Sequence, residues 1–337
     1  MSKFEVQARM SVLYNYVRSR QLEGTFPGSP ETGVWPITAM RISFGWGWIL
    51  DSKWPREHPP SWPPSIEPPG LDDLAKQHRI NHYVRVRTLD ECKRTLAFRG
   101  PVLSSFRMSS EWYDAPNGVI PVPSTDAEFV AAHSVLLVGY DDTEQQFTFM
   151  NSWGSDWGDS GFGHMSYAAF EATWDEGWFM DVTYPNFPEA QQGFSERTWG
   201  FTVVTSGIEC HCVELLDQQG TRIAWALAVK RESQWLEVEE LFVRPQFRKQ
   251  RHGAQLIHTL KERADQLGCS LRLWISYADT EASNIAIIDR LIAPLELVRK
   301  HSDERWAPMC ASPRSFDNRK PQIPHPPSRP HSPFTSR

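Results

Sequence analysis

The sequence predicts an α+β protein that is built from two modules in series. At 337 residues the chain is longer than most single domains, so two domains are the better expectation. Helical spacing of apolar residues near the start gives way to aromatic-rich strands that continue to Tyr184. From Trp199 onward strands alternate with helices, which is typical of an α/β or α+β unit.

The first module is predicted to begin with helices and to continue with strands. Apolar residues at helical spacing predict a helix over residues 4–20. The Pro-rich run 55–69 lacks backbone donors and favours extended geometry, so it is predicted to be a surface loop. Thr88, with Glu91 three positions later, predicts a capped helix over residues 88–97. The predicted strands cover residues 101–106, 134–140 and 146–150.

The second module follows a polar, Pro-containing boundary over residues 185–198. Leu256, Leu260 and Ala264 lie on one face of a predicted amphipathic helix. The residues from Ser312 to the end lack apolar side chains to bury, so this tail is predicted to be disordered. The predicted strands cover residues 201–204, 210–216, 221–229, 236–243 and 271–276, and the predicted helices cover residues 253–267 and 284–291.

The composition excludes several classes of protein. A net charge of −6 gives no reason to expect nucleic acid or an acidic membrane as a partner. The 5 Cys residues are odd in number and scattered, which favours a reducing compartment over a disulfide scaffold. Cys210 and Cys212 have no second ligand pair, so no metal is expected. The sequence shows neither a signal-peptide core nor a membrane-spanning run, and a cytoplasmic location is expected.

A histidine-led strand and an asparagine-led turn form the clearest motif of the first module. His133 opens His-Ser-Val-Leu-Leu-Val-Gly-Tyr, and Asn151 opens Asn-Ser-Trp-Gly after the next predicted strand. A lone His would be interpreted as structural, but the whole pattern over residues 4–185 resembles the papain-like cysteine peptidases. The resemblance implies His133 as a base, Asn151 as the carboxamide that orients it, and Trp153 as a shield for their hydrogen bond.

The first module shows no nucleophile for this chemistry. The resemblance implies a catalytic Cys roughly 130–150 residues before the His, which falls close to residue 1 or before it. Cys92 is the only Cys ahead of Cys210, and we interpret it as structural because it lies inside a predicted helix. Two alternatives stay open: a cysteine peptidase whose Cys segment is missing from the recorded chain, and a non-catalytic protein that binds peptides.

A strand, a Val-x-Pro turn and a basic segment precede a helix over residues 236–257. This order resembles motif A of the GNAT N-acetyltransferases, with Arg251 standing where the family pattern has its middle Gly. The resemblance implies that backbone N–H groups at the helix start, together with nearby cations, bind the diphosphate of acetyl-CoA. The implied phosphate contacts are Arg248, Lys249, Gln250, Arg251, His252, Gly253 and Ala254.

The strand before this segment contains a change of phase. Apolar residues occupy even positions from Leu236 and odd positions from Leu241, which predicts a β-bulge at Glu239-Glu240. The resemblance implies that such a bulge splays the sheet and admits the acyl-pantetheine arm. Backbone groups of Phe242 and Val243 would then contact the acetyl group and the arm.

Acetyl transfer needs an amine that has lost its proton, so a carboxylate or a water relay is expected near the bulge. Glu239 and Glu240 are the candidates and Glu240 is preferred, although each alone would be interpreted as a solvent-facing carboxylate. Asn284 resembles the Asn that contacts coenzyme A in the family. Leu291 and Ile292 stand where the family often has a proton-donating Tyr.

Together these features predict a truncated papain-like module over residues 1–190, a GNAT α/β acetyltransferase fold over residues 199–311 and a tail over residues 312–337. The predicted function is transfer of an acetyl group from acetyl-CoA to an amine. The acceptor is expected to be a small molecule, a peptide or a protein, and the papain-like cleft could hold a peptide.

Overall fold

A computed structural model gives the structure of the protein over seven stretches of the chain. These are residues 9–29, 32–55, 62–64, 67–182, 195–203, 208–230 and 234–273. The predicted helix over residues 284–291, Asn284, the tail from Ser312 and most of the predicted boundary over residues 185–198 lie outside the described residues. Within the described stretches, no helix has both the length and the apolarity that crossing a bilayer requires.

In the described part of the chain, three α-helices precede the first strand. They are α1 (Val12–Leu22), α2 (Pro36–Gly45) and α3 (Leu71–Ala75). Residues 4–8 of the helix predicted over residues 4–20 lie outside the described residues, and the helix that the structure describes begins at Val12. Ser11 caps α1 by accepting a hydrogen bond from the N–H of Tyr14 (3.2 Å), and Met10 instead forms an antiparallel bridge with Leu50.

A seven-stranded sheet forms the frame of the first module. Its strands are β1 (His82–Val86), β2 (Val102–Ser109), β3 (Val119–Ile120), β4 (Phe129–Asp141), β5 (Gln146–Met150), β6 (Phe162–Ser166) and β7 (Trp174–Asp181). Their order is β1-β7-β2-β4-β5-β6-β3, and only the β3–β6 pair is parallel. The predicted pairing of the strand at His133 with the strand before Asn151 is confirmed as β4–β5.

Two further helices pack against this sheet and close the core of the first module. They are α4 (Leu89–Phe98) and α5 (Tyr167–Thr173). The cap predicted for α4 is confirmed, since the hydroxyl of Thr88 accepts from the N–H of Glu91 (3.1 Å). The core between helices and sheet contains Phe106, Phe149 and Cys92, each without exposed surface. The prediction that Cys92 is a buried, structural residue is therefore confirmed.

A five-stranded sheet forms the second module. Its strands are β8 (Ser195–Val203), β9 (Ile208–Leu216), β10 (Arg222–Lys230), β11 (Trp235–Val243) and β12 (Ser270–Leu273), in the order β12-β11-β10-β9-β8. The helix α6 (His252–Gln266) packs against the sheet. Leu256, Leu260 and Ala264 are fully buried there with Val238 of β11, as the predicted amphipathic pattern requires.

The two modules share an apolar cluster at their boundary. Trp225 of β10 has no exposed surface, and its ring lies 5.4 Å from the ring of Phe44 in α2 and 4.6 Å from that of Phe242 in β11. Its indole N–H donates to the hydroxyl of Tyr83 in β1 (3.1 Å). A Cβ at Gly45 would lie 2.5 Å from the Trp225 ring, so only glycine permits this close approach.

Two arginines of the second module bind the carboxyl end of α2. The last carbonyls of a helix lack partners within the helix and carry its partial negative charge. Arg222 donates to the carbonyl of Phe44 (2.6 Å), and Arg244 donates to the carbonyl of Gly45 (2.7 Å). The second module thus completes the hydrogen bonding of a helix in the first.

We predict that Trp225→Ala destabilises the whole protein by about 3–5 kcal/mol, because it empties a fully enclosed volume at the module boundary. Phe98→Ala is the matched control, since Phe98 is 53% exposed on α4 and its loss should cost less than about 0.5 kcal/mol. Urea unfolding followed by fluorescence measures both. Equal, small changes for the two variants would contradict the shared core.

Candidate functional site

His133 and Asn151 meet in the first module as predicted. His133 lies on β4, and Asn151 follows the last residue of β5, the strand that pairs with β4. The Nε2 atom of His133 lies 2.9 Å from the Oδ1 atom of Asn151. The same oxygen accepts the N–H of Ser152 (2.8 Å), which identifies it as the acceptor and makes Nε2–H of the imidazole the donor.

An aromatic wall encloses this hydrogen bond. The ring of Trp153 stacks on the His133 ring at 4.8 Å, and Trp112 meets it edge-on at 6.1 Å. Trp157 fixes the wall by donating its indole N–H to the carbonyl of Trp112 (2.9 Å). Trp153 therefore shields the imidazole–amide bond from water, as the motif predicts.

Burial lowers the pKa of His133 below its ordinary value, and the hydrogen bond to Asn151 opposes part of that shift. At neutral pH the imidazole is therefore uncharged, with its proton on Nε2 and a lone pair on Nδ1. No described residue forms a hydrogen bond with Nδ1. The ring is arranged to accept a proton at Nδ1 while Asn151 holds its tautomer.

The structure provides no reactive thiol from Cys92. This side chain is buried in the core under α4, and burial raises the pKa of its thiol far above the ordinary value. A thiol that stays protonated and has no access to solvent cannot act as a nucleophile.

The loop between β11 and α6 places the predicted phosphate contacts. Arg248, Lys249, Gln250 and Arg251 are exposed, and α6 begins at His252 without a side-chain cap. Lys249 and Arg251 both have a φ of 66°, the left-handed conformation that favours glycine. Arg251 thus adopts the backbone conformation that glycine favours, and its side chain is exposed to solvent.

The predicted bulge in β11 is present. Leu227 of β10 faces Glu240 and the next residue, Ala228, faces Val238, so Glu239 is the extra residue. Downstream of the bulge, Phe242 pairs with Trp225 and is buried.

Glu240 is not placed as its predicted role as a base requires. It is 3% exposed, and its two oxygens accept from Nε and Nη2 of Arg41 at 3.1 and 3.0 Å. Glu239 is similarly held, 3.0 Å from Nη2 of Arg87. A carboxylate fully engaged by a guanidinium and closed to solvent is not free to take a proton from an acceptor amine.

Sequence reasoning did not anticipate Arg41 and Arg87. A buried ion pair of Arg41 could have been predicted, because Arg41 is the only charged residue in the apolar run Ile37–Gly45. Buried arginines are rare unless they are paired. Its partner on β11 lies 199 residues away and could not be assigned from the sequence.

Two family models match the chain. The papain family cysteine protease model matches residues 71–175, and the acetyltransferase (GNAT) family model matches residues 170–289. The chain joins a papain-like module to a GNAT-type module. The GNAT match begins within α5, earlier than the boundary predicted at 185–198.

Proteins of known sequence or structure are similar to about half of this chain. An uncharacterized peptidase C1-like protein of Acanthamoeba polyphaga mimivirus is 25% identical over 189 residues, which cover 52% of this chain and 60% of that protein. Xylellain, a cysteine protease from Xylella fastidiosa, is 26% identical with a TM-score of 0.45, covering 52% of this chain and 70% of that one. The bromelain protease from Ananas comosus is 16% identical with a TM-score of 0.35, covering 45% and 71%.

Replacing Asn151 should move the pKa of His133 in a direction set by the charge of the new side chain. Asn151→Ala removes the acceptor that favours the imidazolium, so the pKa should fall further below its ordinary value. Asn151→Asp introduces a carboxylate and should raise it. An NMR titration of the imidazole protons measures both variants, and a pKa that Asn151→Ala leaves unchanged would contradict the pairing.

Proposed function

We propose that the protein is an N-acetyltransferase that moves an acetyl group from acetyl-CoA to an amine. The observation that supports this most strongly is the loop ahead of α6, where two cationic residues adopt left-handed backbone and no side chain caps the helix. An uncapped helix start beside exposed cations suits a diphosphate. The acceptor we propose is an amine on a small molecule, a peptide or a protein.

The residues of the loop would hold the nucleotide end of acetyl-CoA. Backbone N–H groups of His252, Gly253 and Ala254 open α6 and would point at the diphosphate, while the side chains of Arg248, Lys249, Gln250 and Arg251 surround it. Arg248 already has one fixed contact, since its Nε donates to the carbonyl of Val243 (3.1 Å), and its two terminal nitrogens remain to bind phosphate.

The bulged strand would hold the acyl end. Backbone groups of Phe242 and Val243 follow the bulge and would line the pantetheine arm and the acetyl group. We propose Asn284, which lies outside the described residues, as a further contact to coenzyme A. Acetyl-CoA supplies an activated thioester when it is bound.

Transfer forms a bond between the amine nitrogen and the acetyl carbon and breaks the carbon–sulfur bond of the thioester. The amine must lose a proton, and the departing thiolate must gain one. Because Glu239 and Glu240 are both bound to arginines, we propose that water carries both protons and that Glu240 acts on the geometry of β11.

Labelled acetyl-CoA and a panel of amine acceptors test the catalytic proposal. The expected result is time-dependent transfer of the label to at least one amine. Absence of coenzyme A binding to the full chain, measured by calorimetry, would remove the proposal.

Gly253→Asp should weaken coenzyme A binding by tenfold or more, since it sets a negative charge against the diphosphate, and about 1.4 kcal/mol of repulsion suffices. An acidic residue in the first turn is favourable for a helix, so α6 should stay folded. Gln266→Glu, which adds the same charge at the other end of α6, is the control. Equal affinities for the two variants would contradict the placement of the phosphate site.

A second candidate function, cysteine peptidase, is favoured by the intact imidazole–amide pair. His133 and Asn151 would act as base and orienter toward a thiolate that Cys92 does not supply. This function would be supported if the protein from its natural source hydrolyses a fluorogenic peptide and the His133→Ala variant does not. Peptide binding without hydrolysis would instead favour a non-catalytic peptide-binding role for the cleft.

A further inference from the structure

Three glutamates lie at the bulge in β11, and each carboxylate accepts hydrogen bonds from arginine side chains or from a backbone N–H. Glu237 precedes the bulge, Glu239 is its extra residue and Glu240 follows it. All three are less than 9% exposed. A bulge interrupts the ladder of backbone hydrogen bonds, so its geometry needs support from other contacts.

Arg41 of α2 supplies one of these contacts. Its guanidinium forms two hydrogen bonds with the carboxylate of Glu240, at 3.1 and 3.0 Å, and lies 5.0 Å from the centre of the Phe242 ring. A planar guanidinium bound at two points fixes both the position and the orientation of its partner. One side chain of the first module therefore fixes two residues of β11 immediately downstream of the bulge.

Residues at the end of β1 contact the other two glutamates, Glu237 and Glu239. Nη1 of Arg87 lies 2.6 Å from Glu237, and its Nη2 lies 3.0 Å from Glu239. The backbone N–H of Arg85 also donates to Glu239 (3.0 Å). Arg272 of β12 binds the second oxygen of Glu237 (3.0 Å), so a single network ties β1, β11 and β12 together.

Buried ion pairs are weak evidence for stability, because removing two charges from water offsets most of their attraction. Here the contacts lie on both sides of the register shift of the strand against β10, so they bear on its geometry. We infer that Arg41 and Arg87 are positioning residues through which the papain-like module sets the bulge that receives the acyl-pantetheine arm. This inference rests on the proposed acetyltransferase function.

The double variant Arg41→Met/Glu240→Met tests the inference in the full chain. It removes both charges at similar volume, a change that folded proteins commonly tolerate. Calorimetry with two probes separates the parts of the site: acetyl-CoA carries the acyl-pantetheine arm, whereas ADP carries the adenosine and the diphosphate without the arm. We expect acetyl-CoA to bind about tenfold more weakly and ADP to bind within about twofold of the unaltered protein. A general loss of structure would weaken both.

The control is Arg18→Met/Asp72→Asn, which removes an ion pair between two side chains of the first module. It should leave both affinities unchanged. If the unaltered protein binds neither probe, the proposed function fails, and this inference fails with it. If the unaltered protein binds acetyl-CoA and the Arg41/Glu240 double variant binds it equally well, only the positioning role is overturned.

Should the double variant unfold, Arg41→Lys is the second test. It keeps the charge but loses the two-point contact, so acetyl-CoA should bind severalfold more weakly and ADP should bind normally. Hydrogen exchange over residues 237–243 should become faster in this variant. Unchanged exchange together with unchanged acetyl-CoA affinity would overturn the inference.

Discussion

The packing of Trp225 against α2 and β1 is the contact on which the rest of the structure depends. This side chain lies where the second sheet meets Phe44 and Tyr83, and glycine at position 45 lets the surfaces touch. Apolar burial of this kind is the main favourable term in association, and charged groups around it mostly set direction and register. Each module has its own core, and a third apolar cluster with side chains from both modules joins them, so the chemistry proposed for the second module depends on the packing of the first.

The arginines of this interface divide between two tasks. Arg222 and Arg244 bind carbonyls at the end of α2, which would otherwise be buried without partners. Arg41 and Arg87 bind carboxylates of β11, which would otherwise be buried charges. These hydrogen bonds and ion pairs together align α2 and β1 with the second sheet at a fixed register. The same contacts explain why the carboxylate predicted to act as a base serves a structural purpose.

The features that could be predicted from the sequence are those that a local pattern of residues determines. The phase change after Val238 predicted the bulge, and the capping residue Thr88 predicted α4. The spacing of the two strands predicted that His133 and Asn151 meet. Contacts between distant segments left no such trace, and the pairing of Arg41 with Glu240 is the clearest case. The left-handed backbone at Arg251 was also unpredictable, because nothing local distinguishes an arginine that adopts it from one that closes the loop.

The joining of the two modules through a shared apolar cluster can be tested by heating the protein. Two domains that pack through a large apolar interface with shared buried charges should unfold together. Scanning calorimetry of the full chain is therefore expected to show one transition whose calorimetric and van't Hoff enthalpies agree. Two separate transitions, one of which remains when the other module is already unfolded, would contradict the shared core and with it the role given to Arg41.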